Sequence, residues 1–84
     1  MLIAENYVNK LGINFNQNQY DSIISLIFNI GIGAFGSSTM LKLIKVDVND
    51  LYISGEFVRW IKDGGVPLLG LLRRRIDESK IYYS

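Results

Sequence analysis

The chain contains neither cysteine nor histidine among its 84 residues. Without cysteine, no disulfide bond can compensate for the limited core of so small a domain, and a Cys/His metal site has no ligands. The absence of histidine also excludes catalytic units of the Ser-His-Asp or Cys-His type. We therefore predict a protein that works without a metal ion or another cofactor.

An excess of charge of either sign is also absent, since nine Lys and Arg residues stand against eight Asp and Glu residues, for a net charge of +1. Nucleic acid is therefore not an expected partner, because its binding requires many unbalanced basic side chains. The first ten residues, MLIAENYVNK, lack the basic segment and apolar run of a signal peptide, so we predict synthesis in the cytoplasm. Hydrophobic residues make up 49% of the chain, which favours an apolar surface for a partner.

One long stretch carries no charge at all, from Ser22 to Leu41, with the sequence SIISLIFNIGIGAFGSSTML. Its length would allow it to cross a bilayer. Three glycines (Gly31, Gly33 and Gly36) divide it, however, and the helix predicted from Gln17 to Ile30 before them makes only about four turns. We therefore predict a buried helix, a glycine turn and the start of another helix, and no membrane span.

Residues typical of helix starts and helix ends divide the chain into short helices. The predicted starts are Asn16 with Gln19 as a capping box, Ser37 or Ser38, Asp47 with Asp50, and Pro67 in the first turn of the last helix. The first predicted helix covers residues 2–11 and ends at Gly12. The next three are predicted to end near residues 30, 45 and 61, and KDGG follows the last of these.

Apolar residues at helical spacing predict which faces are buried. In the two C-terminal helices these are Leu51, Phe57, Val58 and Ile61, followed by Leu68, Leu71, Leu72, Ile76 and Ile81. No alternating run bounded by hairpin turns is present. The sequence therefore predicts a single all-α domain over residues 1–84, a small bundle of about five helices.

Three stretches in this order resemble one family of enzymes: NQNQYDSIISLIFNIGIGAFGSSTMLKLI, then FVRW, then GGVPLLGLLRRR. They are similar to the C-terminal part of phage-type lysozymes, the endolysins of the muramidase type (glycoside hydrolase family 24), and the resemblance runs from about residue 2 to 82. It implies a helical lobe that forms one wall of the cleft for peptidoglycan. Such enzymes cut the β-1,4 bond between N-acetylmuramic acid and N-acetylglucosamine.

The resemblance also implies glycan-contact residues, namely Phe28 and Asn29 near the end of the central helix, and Arg59 and Trp60. A carboxamide offers both a donor and an acceptor to N-acetyl groups, and sugars stack on aromatic rings. Alternatives remain for three of these residues. Asn29 could simply end a helix before glycine, Trp60 could be core, and Arg59 could pair with Glu56 or Asp63.

No catalytic residue is predicted in this chain. The resemblance implies that the catalytic Glu, the following Asp and the Thr lie in an N-terminal lobe, near a TIGYGH-like stretch that this sequence lacks. Glycoside hydrolysis requires two acidic groups across the bond that is cut. Only Asp21 and Glu56 are expected to be buried, whereas Asp77 and Glu78 follow Arg73 and Arg74 at the spacing of surface ion pairs.

Two functions follow from this resemblance. The first is the substrate-cleft lobe of a phage-type lysozyme, without catalytic competence alone, made in the cytoplasm of a bacterial host and acting, if at all, at the periplasmic cell wall. The alternative is a non-catalytic protein that reuses the lobe to bind the wall or to regulate a lysozyme. Expected partners are the glycan strand, a catalytic lobe or full-length lysozyme, and a second copy that covers Ile3, Tyr7 and Phe28.

Overall fold

The structure, a computed structural model, describes residues 2–63 and 65–84, and the side chains at 3–61 and 65–84. Five helices follow one another: α1 (Leu2–Lys10), α2 (Gln17–Gly36), α3 (Thr39–Val46), α4 (Ile53–Phe57) and α5 (Leu69–Tyr82). Before α5, the two-residue strands β1 (Lys62–Asp63) and β2 (Val66–Pro67) pair in antiparallel fashion. The prediction of a small all-α domain of five helices is confirmed.

Two of the predicted helix starts are confirmed by their hydrogen bonds. Asn16 and Gln19 form the capping box of α2, since the Gln19 amide donates to Asn16 Oδ1 over 2.8 Å and the Asn16 amide donates to Gln19 Oε1 over 3.0 Å. Ser38, and not Ser37, caps α3, where its Oγ accepts from the Leu41 amide over 3.1 Å. Short polar side chains at these positions satisfy amides that have no partner inside the helix.

Helix α4 is much shorter than predicted. Asp47 and Asp50 do not start it; instead the carboxylate of each accepts the amide two residues on, at Asn49 and Tyr52. These are Asx turns, which compete with helix formation. Leu51 lies in this turn region and is 77% exposed, so its assignment to the core was wrong. The predicted end of the helix within KDGG includes Gly64, which lies outside the described residues.

Helix α5 buries a different face from the one predicted. Its buried residues are Arg75, Glu78 and Tyr82, at positions i, i+3 and i+7. Three of the predicted core residues are exposed: Leu68 just before the helix (41%), and Ile76 (38%) and Ile81 (46%) on it. The physical reason is that α5 packs on α2, which presents hydroxyls there, as Ser22 Oγ donates to the Glu78 carbonyl.

The hydrophobic core surrounds α2, which packs against α1, α3 and α5. Its fully buried apolar side chains come from all five helices, and they are Ala4, Val8, Ile23, Leu26, Ile27, Phe35, Met40, Leu41, Ile44, Ile53, Phe57 and Tyr82. Tyr7 packs beside them, with its ring 6.3 Å from that of Phe35 and nearly perpendicular to it. The expectation that Tyr7 is exposed was therefore wrong. A Cβ at Gly36 would lie 2.7 Å from the Tyr7 hydroxyl, so glycine makes room for this ring.

No single helix of the described chain is long and apolar enough to cross a bilayer. Helices α2 and α3 reach that length and composition only together, and they are bent by 88° at their junction. Six residues of α2 are buried within the protein, including Ile23, Leu26 and Ile27.

Two tyrosines at the end of α5 hold the turn region between α3 and α4. Tyr82 donates to the Val48 carbonyl over 2.6 Å, and Tyr83 donates to the Asp50 carbonyl over 2.5 Å. Burial is the main reason that the pKa of Tyr82 lies far above its ordinary value of 10.0, and the negative charges of ionised Tyr83 and of Asp47 raise it further. Folding therefore favours the protonated phenol at this position.

This pKa shift predicts a loss of stability in alkaline solution. Above pH 10, Tyr82 of the unfolded chain ionises while that of the folded chain does not, so the contribution present below pH 10 is lost as the pH rises. We expect the free energy of unfolding from urea titrations between pH 8 and 11.5 to fall by up to about 1.4 kcal/mol per pH unit more in the wild type than in Tyr82→Phe. Tyr52→Phe, at an exposed tyrosine, should keep the wild-type slope. Equal slopes for wild type and Tyr82→Phe would contradict the prediction.

Candidate functional site

The central helix α2 is broken at Gly31. This residue has φ 85° and ψ 158°, outside the helical region, whereas helical structure resumes after it and continues to Gly36. The prediction that three glycines together end the helix was therefore wrong, because only Gly31 leaves the helical conformation and Gly33 and Gly36 do not. The break places Asn29 and Ile30 at the end of the first helical segment, where backbone carbonyls lack partners within the helix.

Asn29 and Trp60 line the same pocket. Its volume is about 260 Å³, and its walls come from α2, the segment after α4, and α5: Asn29, Ile30, Ala34, Trp60, Leu71 and Arg75. Asn29 is exposed, and its Nδ2 donates to the Ser25 carbonyl over 3.2 Å, one helical turn back. Trp60 is half-buried and packs against the core while it also faces the pocket. The core and pocket interpretations of Trp60 are thus both consistent with its position.

Phe28 does not face this pocket. It is 56% exposed and lines a second, apolar groove of about 290 Å³ between α1 and α2, together with Ile3, Ala4, Ile27, Gly31 and Ile32. Because Phe28 and Asn29 are consecutive on a helix, their side chains point about 100° apart. The structure therefore places these two predicted site residues in two different pockets.

Arg59 lines neither pocket. Its side chain is 70% exposed, and its Nε donates to Glu56 Oε2 over 3.1 Å. Of the alternatives for this residue, the structure shows the pairing with Glu56. The side chain of Asp63, the other acid considered as its partner, lies outside the described residues. A contact between Arg59 and glycan stays a prediction.

The sequence analysis missed the ion pair under the Asn29–Trp60 pocket. The side chains of Arg75 and Glu78 are only 1% and 5% exposed. Arg75 Nε lies 2.7 Å from Glu78 Oε1 without hydrogen-bond alignment, and Arg75 Nη2 donates to Oε2 over 3.2 Å. Ser25 Oγ donates to the same Oε2 over 2.5 Å. The expected surface pairing of Glu78 with Arg74 was wrong, since Glu78 is buried and pairs with Arg75.

Asp21 and Glu56 are the two acidic residues that were expected to be buried. Asp21 is exposed and accepts from Gln17 Nε2 over 2.7 Å, so its expected burial was wrong. The Glu56 side chain is 12% exposed, close to the burial expected of it. No carboxylate of the described side chains lines either pocket, and these side chains include no cluster of three acids that would hold a metal ion.

Asn29 and Trp60, two of the residues that the sequence resemblance selected, line one pocket, and their contact with glycan stays a prediction. Comparison with known families identifies the family of the chain. A family model described as Phage lysozyme matches residues 1–78. The chain belongs to the phage lysozyme family. Relatives found by comparison include several endolysins, and this agrees with the family assignment from the three sequence stretches.

Three of these phage lysozyme relatives illustrate the similarity. The endolysin of Bacillus phage PZA is 40% identical over 78 residues, which is 92% of this chain and 30% of the relative. The endolysin of Acyrthosiphon pisum secondary endosymbiont phage 1 is 42% identical over 80 residues, which is 89% of this chain and 53% of the relative. The endolysin of Salmonella phage P22 is 44% identical over 67 residues, which is 80% of this chain and 45% of the relative. The chain thus spans about half or less of the length of these relatives.

Proposed function

We propose that this chain is the substrate-cleft lobe of a phage-type lysozyme and that it binds the glycan strand of peptidoglycan without hydrolysing it alone. The proposal is supported by family membership and by Asn29 and Trp60, which line one pocket. An indole ring offers a stacking surface for a sugar, and the carboxamide offers a donor and an acceptor. In the complete enzyme, the bond cut would be the β-1,4 link between N-acetylmuramic acid and N-acetylglucosamine.

The observation that carries the proposal is the absence of carboxylates from both pockets among the described side chains. Retaining and inverting glycosidases place two carboxyl groups about 5–10 Å apart around the bond that is cut. Here Glu56 and Glu78 each pair with an arginine three residues away in the chain, and Asp47 and Asp50 accept hydrogen bonds from backbone amides. The acid and its partner would therefore come from another part of the enzyme.

The test combines sedimentation with purified peptidoglycan and turbidity of the same suspension. We expect the 84-residue chain to sediment with the wall material and to leave its turbidity unchanged. Trp60→Ala should reduce the sedimented fraction several-fold, whereas Tyr52→Ala, at an 80% exposed aromatic residue outside both pockets, should not. Clearing of the suspension would refute the non-hydrolysing part of the proposal, and a fully soluble wild type would refute binding.

The place of action follows from the same proposal. A lysozyme lobe of phage or prophage origin would be made in the cytoplasm of the bacterial host, and its substrate lies at the cell wall.

A second candidate function is favoured by the apolar groove between α1 and α2. Ile3, Phe28 and Ile32, which are 66%, 56% and 38% exposed, surround it. Since the chain spans about half or less of its relatives, we propose that this groove packs against the remainder of a lysozyme. A protein that used this surface on a separate, full-length lysozyme would be a partner or regulator of that enzyme. Co-elution of the two proteins, together with a change in lysozyme activity, would favour this function over wall binding.

Self-association of the isolated chain is the expected consequence of this uncovered groove. Exposed apolar patches of this kind drive association in solution. We expect static light scattering to show a mass that increases with concentration. Phe28→Ser should shift this increase to at least about fivefold higher concentration, whereas Val46→Ser, at an 86% exposed valine outside the groove, should not. A strictly monomeric wild type at millimolar concentration would contradict the prediction.

A further inference from the structure

The break at Gly31 divides α2 into two helical segments, which we call the leading segment (residues 17–30) and the trailing segment (residues 32–36). Gly31 is the one residue between them, and its conformation lies outside the helical region. Among the described residues, no atom of a neighbouring element lies within 4 Å of a Cβ atom built at Gly31. The angle between the two segments therefore depends on the backbone of Gly31 and on the contacts that each segment makes elsewhere.

Each segment is tied to a different helix. In the leading segment, Ser22 Oγ donates to the Glu78 carbonyl of α5 over 2.5 Å. In the trailing segment, the buried ring of Phe35 packs nearly at right angles to that of Tyr7 on α1, and Gly36 lies against the Tyr7 hydroxyl. A rotation at the break therefore moves the trailing segment and α1 relative to the leading segment and α5, which is how a hinge works.

Both cavities of the described chain extend across this hinge. The Asn29–Trp60 pocket takes Asn29 from the leading segment and Ala34 from the trailing segment. The groove between α1 and α2 takes Phe28 from the leading segment and Ile32 from the trailing segment. Because each cavity has walls on both sides of Gly31, a rotation there changes the shape of both at once.

We infer that this hinge couples the groove to the Asn29–Trp60 pocket, so that an apolar partner in the groove strengthens the binding of a ligand in the pocket. A partner that buries Ile3 and Phe28, which are 66% and 56% exposed, favours one angle at the hinge. A ligand in the pocket then binds to a site that is already ordered. The effect is reciprocal, since the ligand strengthens contact at the groove by the same factor.

The partner in the groove is the remainder of a lysozyme, since the chain spans about half or less of the length of its relatives. The inference rests on the proposed function, which makes glycan the ligand of the pocket, and adds a regulation to it. The lobe binds glycan most tightly when the groove is covered. A free lobe therefore releases the wall more readily than the complete enzyme does.

The experiment looks for the effect of a pocket ligand on the distant groove in the isolated 84-residue chain. The probe is chitotriose, a neutral trisaccharide of N-acetylglucosamine, and its binding is followed by the fluorescence of Trp60, the single tryptophan. We expect the methyl NMR signals of Ile3 and Ile32, which line the groove and not the pocket, to shift with the same half-saturation concentration. The methyl signals of Ile44, which is buried on α3, should stay in place.

Three variants separate coupling through the hinge from other effects. Gly31→Ala replaces the hinge residue and should lose the Ile3 shift, whereas Gly33→Ala, at a helical residue with open space around it, should keep the shift. Trp60→Ala removes a wall of the pocket and should also lose the Ile3 shift at the same chitotriose concentrations. The wild-type response decides the matter by itself if Gly31→Ala does not fold.

The outcomes distinguish this inference from the proposed function. Chitotriose binding with unmoved Ile3 and Ile32 signals would overturn the coupling while binding to the wall stands. An Ile3 shift that persists in Trp60→Ala would overturn it too, because the sugar would then touch the groove directly, and so would a shift that persists in folded Gly31→Ala. Sedimentation with peptidoglycan without chitotriose binding would do the same. Failure to bind both peptidoglycan and chitotriose would instead refute the proposed function, and the coupling with it.

Discussion

Replacement of Glu78 by glutamine is expected to lower the free energy of unfolding by about 3–5 kcal/mol, because it leaves the Arg75 charge buried without a counter-charge. An 84-residue domain has a total stability of roughly 4–13 kcal/mol at about 0.05–0.15 kcal/mol per residue. The loss is therefore a large part of the whole. Urea denaturation followed by circular dichroism measures it directly.

Glu56 offers a matched control for this substitution. It also pairs with an arginine three residues on, but the Arg59 side chain is 70% exposed whereas that of Arg75 is 1% exposed. Glu56→Gln should therefore cost no more than about 1 kcal/mol. Equal losses for Glu56→Gln and Glu78→Gln would show that burial does not determine the contribution of the pair.

A double variant separates the penalty of a lone charge from the contribution of the pair. Replacing both partners together, as Arg75→Met with Glu78→Leu, removes both buried charges and leaves apolar side chains of similar reach. Such replacements are often neutral or stabilising. We expect the double variant to recover most of the stability that Glu78→Gln loses.

Replacement of Gly31 by alanine is expected to destabilise the fold by about 1–3 kcal/mol. At φ 85° and ψ 158°, the backbone lies in a region that only glycine adopts without strain. The space around the Cβ position is open, so the cost is conformational and not a steric clash with a neighbour. Thermal and urea denaturation of the variant measure this cost.

Gly33 is the control for this substitution, two residues further along the same helix. It has a helical backbone and open space at its Cβ position. Gly33→Ala should therefore stabilise the protein by up to about 1 kcal/mol, since alanine has the higher helix propensity. Opposite signs at the two positions are the expected result. A neutral Gly31→Ala variant would mean that the break in α2 is not fixed by its backbone conformation.

Local signals in the sequence predicted the helix starts well where a short polar side chain acts on its own neighbours. Asn16 with Gln19, and Ser38, form the expected caps because the groups involved are within three residues of one another. Asp47 and Asp50 show the limit of this reasoning. An aspartate can cap a helix or form an Asx turn. The sequence does not show which backbone amide donates a hydrogen bond to its carboxylate.

Burial on α5 could not be predicted from its apolar residues. Hydrophobic periodicity assumes that apolar side chains are covered, but Ile76 and Ile81 are exposed while Arg75 and Glu78 are buried. The deciding contacts come from Ser22 and Ser25 on α2, more than 50 positions earlier in the chain. The one local signal was the spacing of Arg75 and Glu78, which allows an ion pair on a helix but does not place it inside.

The candidate site was predictable in part, for the same physical reason. The family resemblance selected Asn29 and Trp60, which line one pocket, and also Phe28, which lines another, because consecutive residues on a helix point about 100° apart. The position of Arg75 beside this pocket depends on the packing of α5 against α2, which the sequence alone does not show. Residue identity indicated the chemistry, and the tertiary contacts decided which residues share a cavity.

The packing of α2 against α5 has a consequence for biosynthesis. The ribosome delivers the chain from its N-terminus, so the most apolar helix emerges well before the helix that covers it. Translation of the intervening segment takes several seconds at roughly 5–20 residues per second. During that interval the apolar surface of α2 that α5 later covers is exposed and can aggregate. Slow codons between α2 and α5 would lengthen this exposure and increase the chaperone demand of the protein without changing any residue.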